Sequence, residues 1–194
     1  MQFLLWFLIV LFVLYDLFLA LKLIEYIYCT SVLHIPPFVA SIKKQRCMVA
    51  DIINTHYSDA KNIVDVGSGF GGLMRYLARH TNANVYGIEC MPFCAYVSRF
   101  LDMIWFRKNH IKTIKCDVFE YLRDTDIVFD VMVAYFGPCH TDKLLKYSDR
   151  FRVLVSIDFA VENRTPKYVI DCGSGYTRYL NVLYPHKIFV YENF

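Results

Sequence analysis

Charge is scarce in the first part of this chain. The 194 residues include 21 Lys and Arg and 18 Asp and Glu, 20% charged against 56% hydrophobic, and only Asp16, Lys22 and Glu25 fall before residue 34. So little charge on so apolar a chain excludes disorder, which needs the opposite balance. A long basic run is also missing and the formal net charge is +3, so composition argues for no nucleic acid partner. C-x-x-C pairs are absent too. The seven cysteines, Cys29, Cys47, Cys90, Cys94, Cys116, Cys139 and Cys172, offer neither zinc-ligand spacing nor a disulfide ladder. They read as reduced, mostly buried thiols of a reducing compartment, and no metal is expected.

What is present first is an apolar run from Phe3 to Leu21, which at 1.5 Å per residue approaches the ~30 Å hydrocarbon core of a bilayer. No Lys or Arg precedes it, and no small-x-small cleavage site follows in Leu23 to Ser31. It therefore reads as a retained single-pass transmembrane anchor rather than a cleaved signal peptide. Lys22, Lys43, Lys44 and Arg46 follow the run, which places the rest of the chain on the cytoplasmic or matrix-equivalent side. Asp16, near the inner end, reaches the headgroups. The helix is expected to continue to about Tyr28 and to stop before Pro36-Pro37. Three segments result: residues 1–30 as anchor and helical extension, 31–57 as connector and amphipathic helix, and 58–194 as a domain. The polar part is large enough for one core and too short for separate cofactor and substrate domains.

The polar part alternates strand and helix. An amphipathic helix over Ala40 to His56 is followed by a strand at Asn62–Val66 that ends abruptly in Gly67-Ser-Gly-Phe-Gly-Gly72. Then come a helix (Leu73–Arg79), a strand (Asn84–Glu89), a helix (Pro92 to about Phe106), strands at Ile111–Cys116 and Ile127–Tyr135, a helix around Lys143 and a strand at Arg152–Phe159. This βαβ series predicts an α/β fold with a doubly wound, mostly parallel, Rossmann-like sheet. The last part holds runs at Tyr168–Asp171, Tyr176–Tyr184 and Lys187–Tyr191 with no helix between them, read as antiparallel edge strands. Gly173-Ser-Gly175 echoes the glycine loop, but no helix follows it to hold an anion, so it reads as a turn.

The glycine loop and the acids after it carry the chemistry. Gly67, Gly69 and Gly72 satisfy G-x-G-x-x-G between a strand and a helix, with Glu89 twenty-two residues after Gly67, which raises a dinucleotide site. Two features point elsewhere. Asp65 stands two residues before the first glycine, and the domain has no room for a nicotinamide-side half.

The spelling Val64-Asp-Val-Gly-Ser-Gly69 resembles motif I of the class I, seven-strand methyltransferases that use S-adenosyl-L-methionine (SAM). The resemblance implies that Asp65, Gly67, Ser68, Gly69 and Gly71 line the cofactor, that Glu89 with Cys90 receives the ribose hydroxyls, and that Asp117 with Val118 reads the adenine. Pro36-Pro-Phe-Val-Ala-Ser41 after an apolar helix, with Tyr86-Gly-Ile-Glu-Cys-Met-Pro-Phe-Cys-Ala-Tyr-Val-Ser-Arg99, is similar to the membrane-anchored lysine methyltransferases of the ATP synthase c-subunit and adenine nucleotide translocase type. That likeness implies a protein substrate, a lysine side chain in or near the membrane, and a lid formed by Pro37 and Ser41. Phe70 departs from the family, which has an acid there, and the tail after Phe159 lacks its proline-rich spelling. Transfer to a lipid or quinone, and a SAM-binding module with degraded catalysis, are the alternatives.

Methylation of an amine needs a neutral nitrogen aligned with the methyl group, in a site that excludes water and stabilises cations by aromatic contact. Tyr135 with Phe136, at the end of the fourth strand, and Asp158, at the end of the fifth, are the expected acceptor-site residues. Tyr135 and Asp158 are the catalytic candidates, with His110 and His140 as further possible bases.

Overall fold

Short β-branched runs that stop at glycine or an acid make the strands, and apolar faces at helical spacing make the helices laid over them. A computed structural model describes residues 2–31, 40–105, 110–176 and 183–192. Two compact units result, Met1–Val39 and Ala40–Phe194. The first contains α1 (Gln2–Ser31), in which Leu4–Leu21 is long and apolar enough to cross a membrane. Pro37, half of the expected lid, lies outside the described residues.

The second unit runs α2 (Lys43–His56), β1 (Asn62–Val66), α3 (Gly72–His80), β2 (Asn84–Glu89), α4 (Pro92–Trp105), β3 (Ile111–Lys115), α5 (Val118–Asp124), β4 (Phe129–Ala134), α6 (Pro138–Leu144), a 3₁₀ segment, β5 (Phe151–Ile157), β6 (Tyr168–Tyr176) and β7 (Leu183–Glu192). The seven strands form one sheet in the order β3-β2-β1-β4-β5-β7-β6. Strands β1 to β5 are parallel, while β7 runs antiparallel to both β5 and β6. The order reverses at β1 and β4, the crevice where open α/β sheets bind ligands beyond their strand carboxyl ends.

Strand alternation divides the core in two. Ile63, Val131, Val133, Val153 and Val155 pack with Val49, Ile53, Leu73 and Leu77 of α2 and α3. Val64, Val66, Met132 and Leu154 pack with Val118, Leu122 and Leu144 of α5 and α6. Because β1 is covered on both faces, Asp65 sits on the α2–α3 face beside Ile63, only 4% exposed.

Two differences from the sequence expectation concern the later elements. Helix α5 was not expected; Asp117 initiates it, its carboxylate accepting from the backbone N–H groups of Phe119 and Glu120 at 2.8 and 3.2 Å. Gly173-Ser-Gly is not a turn between strands. It lies inside β6, where the pairing with β7 slips between Asp171 and Ser174, a bulge that the left-handed φ of 75° at Gly173 accommodates. Residues 177–182, part of the expected run from Tyr176 to Tyr184, are outside the described residues.

Candidate active site

The loop from β1 into α3 is built from left-handed backbone: Gly67, Gly69 and Gly71 have φ of 72°, 55° and 73°. At Gly67 a side chain is excluded twice, by that φ and because a Cβ would overlap the ring of Phe136 at the end of β4. The loop and the expected acceptor aromatic are therefore in direct contact. Glu89 holds the loop from β2. Its Oε2 accepts from Gly69 N at 2.6 Å and its Oε1 from Met91 N at 2.8 Å. Cys90 Sγ also donates to Oε1, at 3.7 Å. Arg75 of α3 braces the loop from below, donating to the Phe70 carbonyl and pairing with Asp102 at 3.1 Å. Phe70 itself packs edge-on against Phe93. The loop thus keeps its shape although the acid expected at position 70 is absent.

Ser68 Oγ is buried and has no hydrogen-bond partner among the described residues, an unmet group that a polar ligand in the loop would satisfy. Burial pushes the Asp65 carboxyl up to about 7, and the charge of Glu89 adds to this, while a backbone hydrogen bond from Met74 and the guanidinium of Arg46 oppose it. Arg46, half-buried on α2, donates to the Ser41 carbonyl and hydroxyl at 2.6 and 3.0 Å. Its guanidinium lies over Gly72, so close that a Cβ there would come within 3.0 Å of Nη2. Arg46 does not stand out in the sequence as a neighbour of the glycine loop. Asp117 and Val118 sit at the carboxyl end of β3, with Asp117 capping α5, and Cys90 follows Glu89 directly.

The two catalytic candidates are bonded to each other. Tyr135 Oη donates to Asp158 Oδ2 at 2.8 Å. The same oxygen accepts from Gln45 Nε2 of α2 at 2.9 Å and meets His186 Nδ1 of β7 at 2.8 Å. Lys187 N donates to the other oxygen, Oδ1, at 3.1 Å. Asp158 has a φ of 64°, a left-handed conformation that costs a non-glycine residue on the order of 1 kcal/mol. Its backbone is held there by the bond from Asp158 N to Lys187 O at 2.7 Å. Neither Gln45 nor His186 stands out in the sequence: one is a polar residue in the first turn of an amphipathic helix, the other a lone histidine after a proline. Packing of α2 brings Gln45 here, and pairing of β7 with β5 brings His186. Of the other histidines, His140 lies edge-on to Phe136 with ring centroids 6.2 Å apart. His110 lies elsewhere, its ring nitrogen 3.1 Å from the Ala78 carbonyl oxygen.

Strand order, the glycine loop after β1, and an acid ending β2 together define the class I SAM-dependent methyltransferase fold. Comparison with solved structures agrees. An RNA methyltransferase from Salinibacter ruber in complex with S-adenosyl-L-homocysteine superposes with a TM-score of 0.64, at 19% identity, over 79% of this chain and 93% of that one. M. capricolum TrmK in complex with S-adenosyl-homocysteine gives 0.59, at 14% identity, over 79% and 69%. The cofactor expected from the sequence, SAM, agrees with the product bound in both. No protein-family model matches the chain. Among curated proteins, the tRNA1(Val) (adenine(37)-N6)-methyltransferase of Haemophilus influenzae strain PittGG is 36% identical over 78 residues, 38% of this chain and 33% of that protein; its counterpart in strain 86-028NP is 35% identical over the same length. The chain thus matches about a third of the length of these curated relatives. These matches correct one expectation. A low net charge and the lack of a basic run argued for no nucleic acid partner, yet the curated relatives carry tRNA in their names. Whole-chain charge is a poor guide here because a sum hides where the charges lie, and a nucleic-acid surface needs only a local patch.

Proposed function

We propose that this chain is a SAM-dependent N-methyltransferase whose acceptor is an amino group of a nucleic acid, with the exocyclic amine of adenine in RNA as the first candidate. The observation that carries the acceptor class is the 78-residue match to tRNA adenine-N6 methyltransferases. Local charge supports it. Lys43 and Lys44 at the start of α2 and Lys187 on β7 flank Gln45 and His186, are exposed, and take part in no ion pair among the described residues.

Gly67, Ser68, Gly69 and Gly71 would hold the amino-acid end of the cofactor, with Arg46 available to its carboxylate. Glu89 and Cys90 would take the ribose, and Asp117 and Val118 the adenine. Bound SAM supplies a sulfonium-activated methyl group, which an acceptor nitrogen's lone pair takes as the S–C bond breaks, leaving S-adenosylhomocysteine and a proton to be shed. Phe136 and Phe159, the latter with its ring centroid 6.2 Å from that of Tyr135, exclude water and face a developing cation with aromatic surface. The Tyr135 hydroxyl has committed its proton to Asp158, so toward a substrate its oxygen can only accept, which suits an N–H donor.

The test incubates the full chain with methyl-labelled SAM, a tRNA pool and membranes, with Gly69→Arg as the inactive control, and then separates RNA, protein and lipid. Label in RNA, released as methyladenosine, is the expected outcome. Label in protein as methyl-lysine would favour the second reading, transfer to a membrane protein, which the apolar helix α1 supports. Label in lipid would overturn both.

A further inference from the structure

Asp158 is more heavily bonded than a base or a substrate ligand needs to be. Its Oδ2 receives Tyr135 Oη, Gln45 Nε2 and His186 Nδ1, and its Oδ1 receives Lys187 N. The direction of the Gln45 bond is determined. Ile42 N donates to Gln45 Oε1 at 2.9 Å, so the Gln45 amide can face Asp158 only with its NH₂ group. A donor there, and a backbone N–H on the other oxygen, leave the carboxylate accepting from every side. The phenol must then donate to it. Gln45 and His186 are also in contact, Nε2 to Nδ1 at 3.2 Å, and Gln45, Asp158 and His186 are all buried.

Resting on the reading of the chain as an N-methyltransferase, we infer that Gln45, Asp158 and His186 form one positioning unit, which fixes the Tyr135 hydroxyl as a hydrogen-bond acceptor toward the incoming nitrogen. Asp158 does not touch the substrate in this arrangement; it acts through Tyr135. Helix α2 and the β6–β7 hairpin, which lie outside the cofactor loop, thereby become parts of the acceptor site. The site selects nitrogen that still bears hydrogen and disfavours acceptor atoms with no proton to offer.

Two measurements on the full chain in detergent test this. The first is nuclear magnetic resonance of selectively labelled tyrosine: a slowly exchanging phenol proton should be seen and should vanish in Tyr135→Phe. In His186→Asn and Gln45→Leu it should exchange faster, with S-adenosylhomocysteine affinity unchanged as the folding control. A Tyr135 proton in fast exchange in the unmodified protein, or one indifferent to both variants, overturns the inference.

The second is a double-mutant cycle on methyl transfer to the tRNA pool. Tyr135→Phe should lower kcat about tenfold with little change in the KM for SAM. Asp158→Ala should do the same, because the phenol then loses the acceptor that holds its proton, and adding it to Tyr135→Phe should cost nothing further. Losses that multiply mean that Asp158 acts independently, and the inference fails. If the unmodified chain labels no RNA, the RNA acceptor is excluded while the phenol proton still decides the wiring.

Discussion

Gly67 is the residue at which the fold and the site meet, and a single methyl group should separate their demands. Gly67→Ala must hold a φ of 72° and displace the Phe136 ring, which together predict a loss of about 1–3 kcal/mol. In a chain of this size that lowers the thermal midpoint by about 2–4 °C per kcal/mol. Because the loop and Phe136 move together, binding of S-adenosylhomocysteine measured by calorimetry should fall with it. Undiminished binding would show that the contact between them is not part of the site. Asp65 makes a second prediction at this scale. Burial lifts its carboxyl from the usual 3.8 to about 7 in the fold, whereas the unfolded chain titrates near 4. The folded state is therefore favoured most below about pH 4, and that advantage is lost as pH rises through about 7. The cost at pH 8 is on the order of 4 kcal/mol. Asp65→Asn should remove it, so that denaturant midpoints of variant and parent diverge between pH 4 and 7 with the variant the more stable above. Parallel pH profiles would show that Asp65 is ionised in the fold at no cost.

Among the elements, α5 was the hardest to read in the sequence, and the reason is physical. It has seven residues, Val118–Asp124, too few to show a helical period, and rests on the Asp117 cap and on burial of Val118 and Leu122. The strands before it were legible because β-branched runs ending in Gly67 and Glu89 leave little choice; β1 and β2 have the expected bounds. The same contrast holds at the site. The glycine loop is local in sequence and its place between β1 and α3 was legible there, as were the places of Tyr135 and Asp158 at strand ends. Gln45, Arg46 and His186 arrive by packing of α2 and by antiparallel pairing of β7, which no spacing announces. The second role expected of Asp117 gives a test. Asn caps a helix about as well as Asp, so Asp117→Asn should leave stability nearly unchanged, whereas Asp117→Ala should cost about 1 kcal/mol. If the carboxylate also reads the adenine amine, both variants weaken SAM binding. Weakening confined to Asp117→Ala would assign the residue to the helix alone.

For the whole molecule, the distribution of charge matters more than its sum. A formal net charge of +3 is weak for the proposed handling of a polyanion, but three lysines with no ion pair among the described residues stand beside the residues that bond Asp158. Two belong to α2 and one to β7, and Asp171, in register with Lys187, is the acid across from them. Each lysine that neutralises a phosphate contributes about 0.7–0.9 to the slope of log affinity against log salt. Replacing Lys43, Lys44 and Lys187 together by glutamine should lower tRNA affinity, measured by fluorescence anisotropy, and reduce that slope by about 2–3. Because all three side chains are exposed, S-adenosylhomocysteine binding and the thermal midpoint should not change. The same variant offered vesicles of anionic lipid separates the two polyanions that such a patch could meet. A smaller slope for tRNA with vesicle binding intact assigns the lysines to the nucleic acid. An unchanged slope for tRNA would detach the patch from the acceptor and leave the RNA reading to rest on the sequence match alone.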